Sequence, residues 1–399
     1  MSNSISVVEL SAALRDGAAA LRSITMLQPV EGEGGKLFPA TYAGGKYATE
    51  KRRVPDRQEP VECVVLNSVQ SESNHAELAL LDAVRRGHIS LPLIEVDFTE
   101  ANAKLRKDMP KLTSLEVPHR LADAILRDSV LPDGTRFSRS DYAARWGRAN
   151  LWNATAIYEL CPTALTFGMW GSPDKPGGLG AKFERAYISE IIGVDALIVD
   201  RRSGFRVDPL SVSSKIAVVP NGDAGFRVLG ENEKAKNAQR PSELNHGNIV
   251  FDSTNGGVRC RYAEQTTVVS FGALRKLRFP VDGRTDPARD NAARTVLAAI
   301  GIAAGVLATK RGVSLRSRCH LIPTAPRTWE LLDRPGEDPK SYTIDSTAAI
   351  QLLKDAVAQA EVAGLKWLEQ PLVLKPSAEL VDLVRRSQEI AATEDDQEG

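Results

Sequence analysis

Charge of one sign is the first thing this sequence lacks: 51 Lys and Arg balance 51 Asp and Glu, for a formal net charge of zero. A free-standing nucleic-acid binder draws most of its affinity from neutralising phosphates and usually carries a basic excess. Any such role here must therefore rest on how the charge is distributed. Cysteine is scarce as well. Cys63, Cys161, Cys260 and Cys319 are far apart and form no CxxC pair. With no Cys or His cluster at ligand spacing a zinc site is not expected, and no cofactor is expected. With no signal-peptide pattern at the N-terminus, the expectation is a reduced cytoplasmic protein with buried free thiols. No hydrophobic run is long enough for a membrane span. The most apolar stretch, residues 292–309, is rich in Ala and Gly, contains Arg294 and reads as a closely packed buried helix. Nor is there a GxxxxGK[ST], a convincing GxGxxG, a GxSxG elbow or an HExxH, so nucleotide-fold, hydrolase and protease readings lack support.

What is present is the composition of a soluble globular protein, with 42% hydrophobic and 26% charged residues over 399 positions, enough for one large or two ordinary domains. Apolar periodicity predicts a short amphipathic helix over 6–21 and a strand over 21–30. A glycine-rich loop then spans 31–57 and concentrates Lys36, Lys46, Lys51, Arg52, Arg53 and Arg57. Loops of that length are functional or disordered. A strand over 61–66, a helix over 71–86 and a strand over 89–98 form an α/β unit. Further expectations are a helix over 113–128, a strand over 160–170 and a projecting hairpin within 201–243, turning at Asn221-Gly222. A strand near 266–270, a helix over 292–310, a strand over 315–322 and a helix over 346–363 follow. An acidic tail from 389 is expected to be disordered. No internal repeat is visible, and the organisation is one core with long excursions.

Several segments combine the residue types that nucleic acids require. In LNSVQSESNHAE, Ser68, Gln70, Ser71 and Asn74 stand where a strand passes into a helix, and free N–H groups at a helix start favour phosphate. The bland reading is capping. In HRLADAILRDS, His119, Arg120 and Arg127 share one broad helical face, either as a phosphate-contacting rim or as a solvated surface. Trp170, Lys182 and Arg185 flank a PGGLG loop; an aromatic between cations suits base stacking with backbone contact, and equally Trp170 fits a core. Arg275, Lys276 and Arg278, and later Lys310, Arg311, Arg316 and Arg318, lie near helix ends, where a structural role is the default.

Taken in order, GGKLFPATY, LNSVQSESNHAE, TSLEVPHRLADAILRDS, YELCPTALTFGMW, SELNHGNI and ALRKLRFP resemble the RAMP-type backbone subunit of type I-G (formerly I-U) CRISPR Cascade effectors, over about residues 20–325. The resemblance implies an α+β fold: a modified RNA-recognition-motif, ferredoxin-like palm over 1–340. Its insertions would be the basic loop 31–57, a fingers region 97–185 and a candidate thumb 201–243, with a C-terminal helical segment 341–388 and the tail 389–399 outside it. It further implies a non-catalytic subunit that oligomerises with copies of itself along the CRISPR RNA and presents it for pairing with target DNA in antiviral defence. The other expected partners are the guide-processing and large subunits of Cascade and a recruited helicase–nuclease; no membrane is involved. Carried onto this chain, Lys36, Lys46 and the 68–74 segment are the leading guide contacts, with the His119, Arg120 and Arg127 helix and Lys182 and Arg185 behind them.

Two other classes stay open on the residues alone. One is a guide-processing or target-cleaving ribonuclease of the same superfamily, for which His119 is the candidate base. The other is a metabolic α/β enzyme, which would need a deep small-molecule site.

Overall fold

The computed structural model describes residues 4–398 except 56, 172–180, 200–207, 222–224, 231–232, 245, 247–255 and 311, and the backbone alone over 392–398. Helix α1 (Val7–Asp16) opens on a capping box at Ser6 and Glu9 and closes on Gly17. Strands β1 (Ala20–Pro29), β2 (Thr49–Arg52) and β3 (Val61–Asn67) precede helix α2 (Val69–Arg85). The long strands β4 (Tyr187–Ile198) and β5 (Val258–Ser270) come next, then helix α3 (Pro287–Thr309). Strands β6 (Val313–Arg316), β7 (Cys319–Pro323), β8 (Trp329–Leu332) and β9 (Lys340–Tyr342) lead to helices α4 (Ser346–Val362) and α5 (Ala378–Glu398).

The main sheet has nine strands in the order β6-β7-β1-β5-β4-β3-β2, with β8 also pairing with β1 and β9 with β8. Each pair among β7, β1, β5 and β4 is antiparallel. Those four strands, linked through α2 and α3, follow a βαββαβ path with the spatial order fourth-first-third-second, which is a split-βαβ arrangement. The mixed α+β class is thus borne out.

Both helices pack on one face of the sheet. Leu21, Tyr187 and Val269 point into that layer with Leu80, Leu81, Val296 and Ile300. Among the described residues α3 is the helix long and apolar enough to cross a membrane, and most of it is buried inside the protein. Its small residues bring it close to the strands: a Cβ on Gly305 would stand 3.3 Å from the Trp329 ring and 3.4 Å from Tyr187. A polar seam runs under the helices. The buried Glu72 carboxylate accepts from Ser189 Oγ and Gln265 Nε2, both at 2.6 Å. Ser189 joins Thr267 at 2.9 Å, and Arg327 donates to Thr267 Oγ1 at 2.6 Å and to the Gly305 carbonyl at 2.6 Å. Most of these buried polar atoms are tolerable because they are bonded in this way; Gln265 Oε1 is buried without a partner among the described residues.

A second sheet orders Leu112–Thr113, Ile94–Val96, Leu372–Pro376 and Ser129–Val130. Leu372–Pro376 runs parallel to Ile94–Val96, so the C-terminal segment expected to be helical supplies a strand that ties it to the preceding excursion.

Three expectations need correction. Residues 160–167 are not a strand; two short helices, Thr155–Leu160 and Pro162–Phe167, fill that stretch, and only Met169–Trp170 is extended. Pro162 begins the second of them, and a short apolar run buried on all sides has no periodicity to separate strand from helix. Residues 113–128 are not one helix. Arg120 adopts φ +51, and the stretch breaks into a 3-10 turn, Arg120–Ala122, and a four-residue helix, Ala124–Arg127, capped by Asp123. Finally, the backbone is helical through Glu398 where the tail was expected to be disordered; its Ala, Glu and Gln are good helix formers that prolong a helix already nucleated upstream.

Candidate nucleic-acid interface

The loop after β1 does not wander. Val30 N donates to the His320 carbonyl at 3.0 Å, and tight turns at Gly32 and Gly35 fold the chain back. The buried Leu37 exchanges two backbone bonds with Val258, at 2.8 and 2.7 Å, pinning the loop to the start of β5. Phe38 N then donates to the Arg318 carbonyl at 3.1 Å, which ties the same loop to the turn between β6 and β7. Hydrophobic anchoring of Leu37 beside Val258, Cys319 and Leu321 is what brings these distant stretches together.

Four cations collect at this end of the sheet. Lys36 lays its aliphatic stem over Gly257, whose φ of +90 and 2.9 Å clearance leave no room for a side chain. Arg318 sits 4.2 Å from the centroid of the Phe38 ring. Arg316 donates to the Pro39 carbonyl at 3.2 Å, and Arg259 donates to the Gly34 carbonyl. All four are held by carbonyls, a ring or a glycine. Several surface arginines elsewhere meet acids: Arg22 meets Glu330, Arg52 meets Glu190 and Arg57 meets Asp195, at 2.7 to 2.9 Å. Among the described residues none of the four at the sheet end has a carboxylate partner, so their charge stays available although exposed Glu31 and Glu33 stand in the same loop. Lys46 is exposed on the neighbouring hairpin, Thr41–Tyr42 with Lys46–Tyr47. Behind it Tyr47 is buried, and dehydration raises its phenol above the ordinary value. Of this cluster, sequence reasoning singled out Lys36 and Lys46, left Arg316 and Arg318 as structural, and passed over Phe38 and Arg259. The available signal was arginine at alternate positions, 259 with 261 and 316 with 318, on strands that converge only in the fold.

The 68–74 segment behaves chiefly as a cap. Ser68 accepts from Ser71 N at 3.4 Å, and Ser71 is half-buried. Asn67 is buried and bonds Glu72 and, at 3.1 Å, His75 Nδ1. With a buried carboxylate already in the first turn of α2, the positive end of that helix is offset. Gln70 and Asn74 alone of the four candidates are exposed.

His119, Arg120 and Arg127 share no helical face. His119 is exposed, with its backbone N–H on Asp123 at 3.0 Å. Arg127 is exposed and pairs with Asp128 at 2.8 Å. Arg120 is only 8% exposed, and its Nε and Nη2 donate to the two Glu77 carboxylate oxygens at 2.5 and 2.7 Å, while Nη1 donates to the Gly168 carbonyl at 2.9 Å. Its charge is spent inside the protein, so the reading of Arg120 as a phosphate contact does not fit its position. Burial pushes the Glu77 carboxyl up, and the Arg120 guanidinium opposes that push.

Trp170 and Lys182 face each other across the hairpin Met169–Trp170 with Lys182–Phe183. Trp170 is 68% exposed, which answers the core alternative, and Lys182 Nζ stands 4.6 Å from its ring centroid. Arg185 is half-buried against Gly168. The PGGLG loop, residues 201–207, Gly222 and Arg311 lie outside the described residues; of the expected projecting hairpin, Val218–Pro220 pairs with Phe226–Val228. The open face of the sheet carries Ile24 and Met26 on β1 opposite Thr266 and Glu264 on β5, with Ile188 on β4. That face also carries Arg22, paired with Glu330, and the half-buried Tyr262 beside Ile192 and Val194.

A comparison with curated proteins finds no match. Residues 21–197, from β1 to the end of β4, match the family model described as CRISPR-associated protein GSU0053. The matched stretch holds Lys36, Lys46, α2, Arg120 and the Trp170 hairpin, and over it the chain is similar to that CRISPR-associated family.

Proposed function

We propose that this protein is a non-catalytic backbone subunit of a type I CRISPR surveillance complex, of subtype I-G, which oligomerises along the guide RNA and presents it for pairing with target DNA. One observation carries the RNA part of this reading. At one end of the sheet, Lys36, Arg259, Arg316 and Arg318 are oriented by carbonyls and a phenyl ring and, among the described residues, none is neutralised by an acid. Cations fixed in this way favour phosphate without reading bases, and in such complexes base pairing supplies the sequence information. The family match and the split-βαβ order of β7, β1, β5 and β4 agree with a ferredoxin-like palm. The zero net charge is compatible with it, because a subunit in a filament needs one basic track and acidic surfaces toward its neighbours. The candidate thumb under this reading is 201–243, within which Val218–Pro220 pairs with Phe226–Val228.

The test is purification of the chain together with its CRISPR array and neighbouring proteins. A large particle holding RNA of uniform length with spacer sequence is the expected result. A nucleic-acid-free monomer under the same conditions would overturn the proposal and favour an enzymatic role.

A further inference from the structure

The hairpin that carries Trp170 sits at the far end of the sheet from the four unneutralised cations. Arg185 stands two residues before Tyr187, which pairs with Val269, whereas Lys36 and Leu37 are pinned beside Val258. Eleven residue steps along β5 separate those positions, or roughly 36 Å at about 3.3 Å per residue. The two regions are separate contacts.

Three features of the hairpin point to a ligand. The first is the base on which it is built. Met169 and Phe183 turn inward and are buried, while Gly168 is fixed by Arg120 on its carbonyl and by the Arg185 stem on its α-carbon. A Cβ on Gly168, whose φ is +83, would stand 2.8 Å from Arg185 Cγ, so the close approach requires glycine. The second is the direction of Trp170, which points to solvent from that rigid base. A large apolar ring held out in this way, with one face toward Lys182, keeps its other face for a planar partner.

The third is the state of Arg185. It is half-buried and makes no hydrogen bond or ion pair with a described residue. Among the described residues the carboxylate that acts on it, Glu77, is already held by Nε and Nη2 of Arg120. Two guanidinium groups thus share one acid. Burial, and then the charge of Arg120, lower the Arg185 pKa from its ordinary value. A guanidinium remains charged regardless, and a partly dehydrated cation without an acid is satisfied by an external anion. Phosphate fits the guanidinium fork in a bidentate manner.

We infer that Arg185, Trp170 and Lys182 form a nucleotide subsite, in which Arg185 takes a backbone phosphate and the uncovered face of Trp170 takes a base of a single strand. The inference rests on the RNA-binding reading above and adds a second grip at the opposite end of the sheet, so that one strand touching both runs the length of β5.

Fluorescence titration of the full chain with a single-stranded oligoribonucleotide tests it, using the wild type, Trp170→Phe, Trp170→Ala and Arg185→Gln, with unchanged circular dichroism as the folding control. The wild type is expected to show quenching that Trp170→Phe loses. Trp170→Ala is expected to bind between about five- and a hundred-fold more weakly. Arg185→Gln is expected to lower the slope of log affinity against log salt by about 0.7, while Arg185→Lys retains it. If these variants bind like the wild type while Lys36→Glu with Arg318→Glu weakens binding, the subsite is wrong and the RNA-binding reading survives. If inorganic phosphate alone reproduces the Arg185-dependent change and RNA affinity is unaffected, the site belongs to free phosphate and the nucleotide assignment falls. A wild-type chain that binds no RNA overturns both.

Discussion

Arg120 illustrates how little a cation in a sequence says about where its charge goes. In HRLADAILRDS it reads as one member of a basic helical face, yet a left-handed backbone at that residue turns its side chain inward onto Glu77 and Gly168. A buried ion pair adds little net stability relative to an apolar replacement, but removing one partner strands the other. Arg120→Met is therefore expected to destabilise the protein by about 3–5 kcal/mol, read as a fall in the urea midpoint. Arg120→Met with Glu77→Leu should recover much of that loss. If the single and double variants unfold at the same midpoint, the pair is not what holds this region. Ser68 teaches the complementary lesson: a residue well placed for phosphate is engaged in capping α2, as residues of that type at that position usually are.

Among the elements, α3 shows what composition can determine. Its Ala and Gly content was legible as close packing, and in the fold Gly301 and Gly305 lie against Val269, Tyr187 and Trp329. Gly305→Val would push a branched side chain into the 3.3 Å gap beside Trp329 and should cost about 1–3 kcal/mol, visible as a lower Tm. Gly305→Ala is expected to be milder, because better helix propensity of about 0.5–1 kcal/mol offsets the tighter contact. Equal effects of the two changes would argue against a packing role. The 160–167 stretch failed at this same scale for a physical reason: when every side chain is buried there is no polar face, and neither the period of a strand nor that of a helix can emerge.

For the molecule as a whole, zero net charge conceals an uneven surface, with several arginines paired to acids and, among the described residues, four cations at one sheet end without a carboxylate partner. Under the proposed function, Lys36→Glu with Arg318→Glu should weaken single-stranded RNA binding with little dependence on sequence. The salt slope should fall by about 0.7 for each phosphate that the protein no longer neutralises. Unchanged affinity in both low and moderate salt would remove this end from the interface. A drop confined to one RNA sequence would point instead to base readout.

The sequence by itself determined the elements whose signals are local: the β1 period, the α2 cap at Ser68, the apolar α3, and the absence of nucleotide, nucleophile and metal-ligand motifs. It also located Lys36 and Lys46 in a basic loop and Trp170 between cations. Only the tertiary structure decided which cations act together, because Arg259, Arg316 and Arg318 reach Lys36 through strand pairing between residues more than 200 positions apart. It likewise decided that Arg120 is buried and that Arg185 has, among the described residues, no ion pair of its own. Those outcomes depend on one carboxylate, Glu77, whose nearness to both arginines is set by how α2 packs, and no periodicity along the chain encodes that distance.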